Sequence, residues 1–345
     1  MSLEKPLQLG RLRLPRNILY APLAGCSDYS FRKLASIYKP GLTFCEMVKM
    51  DALVRHDPST YHLLDYDVSM HPIGAQLVGS KVHLAGPCAK IIEDLGFDVV
   101  DLNCGCPVDK VTKDGSGSGL LKNPEKIGDI VYQMVKHVSI PVTVKIRMGW
   151  DQEHICAKEV TKIVESAGAK AITIHGRTRS QGYKGPANWD PIKECVEAAT
   201  TIKVIGNGDV FDGPSAKALL EHTGCDGILV ARGTMGKPWI VDEISHYLAT
   251  GETLPMTSEM IRSAFLKHTE ITLSYENDRY ALLAMRRIAC WYLKEMHGAR
   301  ELREGINKSR TLADLLSLLE DFDWQGVSTL KPCSFISESD TCIEV

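Results

Sequence analysis

The sequence predicts an eight-stranded α/β barrel followed by an all-helical domain. Three observations lead there. Eight short apolar, β-rich runs recur through about 240 residues, most of them separated by segments long enough for a helix. Such alternation implies parallel pairing through right-handed crossovers, and eight units of this size match a closed barrel. The Gly-x-Gly-x-x-Gly turn that a doubly wound sheet would carry after its first strand is absent. After residue 238 the pattern changes, and no strand-like run is read between 259 and 320.

In chain order the runs are 17–21, 42–48, 73–78, 98–103, 142–147, 171–175, 203–206 and 227–231. Helices are expected at 81–95, 124–138, 155–167 and 213–222. Further on, Leu282, Met285, Ile288, Tyr292 and Met296 form a helical apolar stripe over 279–297. The barrel is assigned to 1–250 and the helical domain to 251–325, and 331–345, rich in Ser, Glu and Asp, reads as a flexible tail.

Composition narrows the function classes. A hydrophobic fraction of 44% with 24% charged residues is that of an ordinary globular protein. No apolar run approaches the ~20 residues of a membrane helix, and the N-terminus has no basic and apolar signal regions. A cytoplasmic monomer with no membrane contact is therefore expected. The 11 cysteines are an odd number with no Cys-x-x-Cys pair, which points to free thiols and no metal site. Net charge is −3, yet residues 279–310 carry eight basic side chains against three acidic ones. Such a local excess is where a polyanion can dock.

Polar residues at the strand ends converge on one barrel mouth. Cys106 follows the fourth strand, between Gly105 and Pro107, and its thiol is expected over the mouth. It would serve as an acid with a lowered pKa. Cys104, in extended chain, faces the other way and reads as core. Lys145 lies in an otherwise buried strand, where a cation needs an anionic partner. His175 ends the sixth strand. Gly206-Asn207-Gly208-Asp209 and Ala231-Arg232-Gly233 end the last two strands, the usual phosphate site of this barrel. Gly115-Ser-Gly-Ser-Gly119 reads as a flexible loop beside Cys106, a lid.

These strings resemble those of the tRNA-dihydrouridine synthases, most closely the bacterial B-type branch. The likeness rests on Ala-Pro-Leu-Ala-Gly (21–25), Gln-Leu-Val-Gly-Ser (76–80), Asp-Leu-Asn-Cys-Gly-Cys-Pro (101–107), Val-Lys-Ile-Arg-Met-Gly-Trp (144–150), His-Gly-Arg-Thr-Arg-Ser-Gln (175–181) and Gly-Lys-Pro-Trp-Ile (236–240). Trp-Tyr-Leu-Lys (291–294) resembles the family's helical tRNA-binding domain. The resemblance implies an FMN enzyme that uses NADPH to reduce uridine to 5,6-dihydrouridine in the D-loop of tRNA. Hydride goes to carbon 6 of uracil, and Cys106 protonates carbon 5. It implies that Pro22, Leu23, Ala24 and Gln76 line the flavin ring with Lys145 beside it. His175, Asn207, Gly208, Asp209, Ala231 and Arg232 would hold the phosphate end. Asn103 would contact uracil. Apart from the resemblance, the concentrated positive charge makes Arg286, Arg287 and Lys294 the expected tRNA grip, with Arg177 on the barrel rim. Leu23 and Cys26-Ser27 depart from the family's more usual Met and Val/Ile-Thr, and Gly119 stands where alanine is common.

Two other readings compete. One is an FMN barrel reductase of a small pyrimidine, similar to a dihydroorotate dehydrogenase, which leaves the basic helical segment unexplained. The other is a non-catalytic RNA-binding barrel, against which Cys106 and Lys145 argue.

Overall fold

The computed structural model describes residues 3–294 and 296–329. The expected flexible tail, 331–345, lies outside the described residues. A short antiparallel hairpin comes first, β1 (Leu7–Leu9) and β2 (Leu12–Leu14). Then β3 (Ile18–Tyr20) leads through α1 (Tyr29–Ala35) to β4 (Thr43–Lys49). The short α2 (Met50–Leu53) and α3 (Pro58–Leu63) precede β5 (Ile73–Val78), followed by α4 (Val82–Asp94) and β6 (Val99–Cys104). Next come α5 (Asp109–Thr112), α6 (Pro124–His137), β7 (Val142–Arg147), α7 (Ala157–Ser166), β8 (Ala171–His175) and α8 (Asp190–Ala198). The series ends with β9 (Lys203–Asn207), α9 (Gly213–Thr223), β10 (Gly227–Val230) and α10 (Ile240–Thr250).

Strands β3 to β10 form one parallel sheet in the order β3-β10-β9-β8-β7-β6-β5-β4. The seam closes through a parallel bridge between Leu19 and Leu42, with Tyr20 N–H donating to the Leu42 carbonyl at 2.9 Å. This is the expected barrel, with all eight runs as strands to within two residues at either end. Helix starts follow local chemistry. The Asn123 side chain caps the N-terminus of α6, and Asp212 with Ser215 forms a capping box on α9.

Alternation along the strands separates two cores. The outward set packs under the helices and includes Val100, Leu102, Cys104, Val144, Ile146, Ile172 and Ile174. Cys104 is therefore core, as expected. The inward set begins with an apolar floor of Leu19, Phe44, Val99, Ala171, Ile205 and Leu229. Leu7, Leu9 and Leu14 of the β1–β2 hairpin plug that floor from below. Above it the inward residues become polar, so the barrel has a dry base and a reactive top.

Four helices follow: α11 (Ser258–Tyr275), α12 (Asp278–Leu293), α13 (Arg300–Lys308) and α14 (Leu312–Asp321). They share a core built on Phe265, Met285, Ile288, Tyr292, Ile306 and Leu315, which Trp239 joins from the end of the barrel. Two differences from the sequence reading appear. The helix expected over 279–297 stops at Leu293. Beyond it Met296–His297, β11, pairs antiparallel with Ser328–Thr329, β12. Two-residue strands carry no readable period.

Candidate active site

The top of the barrel holds a cavity of about 590 Å³. All eleven residues assigned to a cofactor line it: Pro22, Leu23, Ala24, Gln76, Lys145, His175, Asn207, Gly208, Asp209, Ala231 and Arg232. Cys106 and Asn103 line it as well. They come from seven strand ends, so only a closed barrel brings them together. Met47, Arg147, Tyr183 and Phe211 also line the cavity, and the sequence reading gave none of them a role. Arg147 had a usable signal: it stands two residues beyond Lys145, on the same inward face.

Positive charge dominates the cavity. The Lys145 ammonium makes no hydrogen bond or ion pair among the described residues. Its accessible surface opens on the cavity. Enclosure by protein, and then the Arg147 guanidinium, depress its pKa to about 8, with Asp101 and Cys106 opposing in part. Burial, followed by Arg147, Lys145, Arg177 and Arg232, drives the His175 pKa well below its ordinary value, so the imidazole is neutral. Arg177 donates toward His175 Nε2 at 3.4 Å, so that nitrogen carries no proton. The remaining N–H, on Nδ1, is a donor.

Asp209 organises the cations. Its carboxylate accepts two hydrogen bonds from Arg177 at 2.8 and 2.7 Å, one from Arg232 at 2.9 Å and one from the Ala187 N–H at 2.7 Å. With its oxygens so occupied, Asp209 orients Arg232 and offers the cavity little free negative charge. Arg177 is the residue that departs most from its assignment. It is only 3% exposed, does not line the cavity, and its guanidinium is spent on Asp209 and the Gly185 carbonyl. It braces the site and has no free donor to grip a tRNA. Gly208 has φ +127°, and a Cβ there would stand 2.8 Å from the Ala187 methyl, so only glycine fits this turn.

Arg147 ties two loops together. Its Nε donates to the Gly105 carbonyl at 2.9 Å, and Nη1 donates to the carbonyls of Thr178 and Gly182 at 2.8 and 2.7 Å. Its guanidinium lies 5.5 Å from the Tyr183 ring centre, and that of Arg232 lies 4.9 Å from the same ring and 5.4 Å from Phe211. A run of alternating cations and rings therefore links the Cys106 loop to the far end of the cavity.

Cys106 is part-buried at the mouth. Its carbonyl accepts from Ser118 N–H at 3.0 Å and Ser118 Oγ at 2.9 Å. The segment expected to be a flexible lid is thus a packed support. It enters a 3₁₀ turn at Gly117, and Ser118 is wholly buried. The expected lowering of the thiol pKa is also reversed. Burial raises it, outweighing the Val108 N–H, Arg147 and Lys145, which act the other way. Sequence displays the nearby cations but not the desolvation that outweighs them. The thiol therefore stays protonated, as a proton donor requires.

The three helical-domain cations separate. Arg286, on α12, donates to the Ser309 carbonyl and pins α12 to the junction between α13 and α14. Arg287 reaches back to the barrel, where its Nη2 lies 3.4 Å from Asp28 Oδ2. Lys294 makes no hydrogen bond or ion pair among the described residues. Arg279, Lys308 and Arg310 are exposed.

A family model described as dihydrouridine synthase matches residues 19–325. The chain belongs to the dihydrouridine synthase family. It is 38% identical over 332 residues to the probable tRNA-dihydrouridine synthase 1 of Synechocystis sp., covering 95% of this chain and 91% of that one. It is 34% identical over 321 residues to the tRNA-dihydrouridine synthase B of Pseudomonas syringae pv. tomato, covering 93% and 95%. The likeness to the B-type branch is thus borne out. Among solved structures, morphinone reductase in complex with tetrahydroNAD matches with a TM-score of 0.52 at 14% identity, covering 74% of this chain and 92% of that one. Histamine dehydrogenase from Rhizobium sp. 4-9 matches with a TM-score of 0.53 at 15% identity, covering 78% of this chain and 51% of that one. At such identities these two show a shared barrel fold. No helix among the described residues is long and apolar enough to cross a membrane.

Proposed function

We propose that this chain reduces uridine to 5,6-dihydrouridine in tRNA with a bound flavin, FMN, that NADPH reduces. The observation that carries this is a protonated thiol at the mouth of a cavity whose wall holds an ammonium with no partner. A polarisable, anionic group satisfies that lysine, and the flavin ring and phosphate together supply one. Pro22, Leu23 and Ala24 offer an apolar wall for the ring, and His175, Asn207, Gly208, Ala231 and Arg232 a polar end for the phosphate. When bound, the flavin supplies hydride to carbon 6 of uracil. Negative charge then develops at carbon 5 and the adjoining carbonyl, and Cys106 provides the proton for carbon 5. A base must leave its stack to enter such a cavity, which costs a few kcal/mol. The family's relatives are named for tRNA, and the basic helical face gives phosphates a place to bind.

The test is to reduce the purified yellow protein with NADPH without oxygen and offer it tRNA or free uridine and orotate. Reoxidation by tRNA is the expected result. Reoxidation by the free pyrimidines alone would establish the small-molecule reductase instead, and a colourless protein the non-catalytic barrel.

The phosphate grip is assigned to Lys294, Lys308 and Arg310, with Arg287 at the junction. Changing Lys294, Lys308 and Arg310 together to Ala should raise the apparent tRNA dissociation constant. It should also flatten its salt dependence by a log–log slope of roughly 2 to 3, one counterion per lost contact. Titrations at several salt concentrations check this, and an unchanged slope would place the grip on the barrel rim. Arg286→Ala behaves differently. It frees the Ser309 carbonyl and should lower the melting temperature more than it changes the salt slope.

A further inference from the structure

Below Cys106, three inward side chains of neighbouring strands lie in one hydrogen-bonded line. Gln76 on β5, Asp101 on β6 and Thr143 on β7 are register partners, and Asn103 follows Asp101 on the same face of β6. Asp101 accepts from Thr143 Oγ1 at 2.6 Å and from Gln76 Nε2 at 2.7 Å. Gln76 Oε1 accepts from Asn103 Nδ2 at 2.7 Å. Asn103 Oδ1 accepts from the N–H groups of Gly105 and Cys106, at 3.0 and 2.9 Å.

The direction of every bond in this line is forced from both ends. At the top, two backbone N–H groups are donors only, so Asn103 must offer them its oxygen and turn its amino group to Gln76. Gln76 must then offer oxygen upward and its amino group downward. The group below it must therefore be an acceptor, and Asp101 is one. An Asn or Gln flip would break the line at one end or the other. We propose that Asp101 is a positioning residue that sets the polarity of the Gln76–Asn103 relay and so holds the turn that presents Cys106. The role of that turn rests on the proposed function of Cys106. What Asp101 must supply is an acceptor facing Gln76, not a negative charge. Thr143 can turn its hydroxyl to accept, so Asn at 101 can still offer Gln76 a carbonyl.

The test uses the full-length, flavin-loaded protein and hydrogen exchange at single amides. Asp101→Leu severs the line at its base, and Gln76→Leu severs it in the middle. Each should reduce the protection of the Gly105 and Cys106 amides by roughly three- to tenfold, the scale of one hydrogen bond. The amides of Ile172 and Ile174, on β8, which carries no member of the line, should keep theirs. Asp101→Asn should retain wild-type protection at both positions. Unchanged protection in the severed variants would overturn the proposal, as would Asp101→Asn behaving like Asp101→Leu. If neither severed variant folds, the proposal also falls, because a line that only positions a turn is not required for folding. Failure of the functional reading looks different: wild-type protein would not reduce tRNA, while the exchange pattern would stand.

Discussion

Cys106→Ala should lower tRNA reduction by roughly 10²- to 10⁴-fold, the usual contribution of a positioned general acid. The same variant should keep its flavin and its reduction by NADPH, because neither step draws a proton from this thiol. Two half-reactions measured separately check the split: flavin bleaching by NADPH, then recovery of colour on adding tRNA. Equal losses in both would show that Cys106 supports the cofactor and not the substrate. The pH profile gives a second signature. Burial raises the thiol pKa, so the acid form persists through neutral pH. The tRNA step should therefore hold through that range and fall only above the ordinary thiol range, as the proton is lost. The alkaline fall belongs to the thiol only if Cys106→Ala abolishes it. Cys104→Ala is the natural control. Its side chain is in the outward core, fully buried, and should cost stability without separating the half-reactions.

Both halves of this prediction were partly visible in the sequence. The facing of Cys106 and Cys104 follows from strand alternation and the Gly105 turn, which are local. The eight strands were legible because short β-rich runs recur between helix-length segments at the spacing of a barrel. The β1–β2 hairpin was not, since Leu7-Gln8-Leu9 and Leu12-Arg13-Leu14 are too short to show a period. Tyr183 arrives from an aperiodic loop, and nothing in its neighbours announces that two guanidinium groups face it. The Asp101–Gln76–Asn103 line crosses between two neighbouring strands, so its polarity exists only once their register is set. Arg177 was misassigned for a related reason. Its motif marks the site, but its partner Asp209 is 32 residues away and consumes the charge that seemed free for RNA. Sequence showed which residues gather at the mouth. It could not show which charges are already satisfied.

Lys145 is a charge at the mouth that is not satisfied, and it yields the other large effect. Lys145→Met should make the flavin-free protein more stable, by a few degrees in melting temperature, while weakening flavin binding roughly ten- to hundredfold. The two shifts have one cause. Without a bound anion the ammonium is enclosed by protein beside Arg147 and has no partner, and its folded-state pKa is depressed from 10.5 to about 8. A base with a depressed pKa takes up fewer protons when folded than when unfolded between those two values. The flavin-free protein should therefore gain stability as pH rises from about 8 toward 10.5, and methionine should remove that slope. Flavin binding runs the opposite way. An anion at this position prefers the charged lysine, and a hydrogen bond to a charged group contributes about 1.5–3 kcal/mol. Affinity in the wild type should then decline as pH climbs through about 8, and Lys145→Met should show neither the affinity nor the decline. Melting curves of the flavin-free forms, paired with flavin titrations across that range, check both arms. A variant less stable than wild type, with unchanged flavin affinity, would mean that Lys145 is braced by its neighbours and does not face the cofactor.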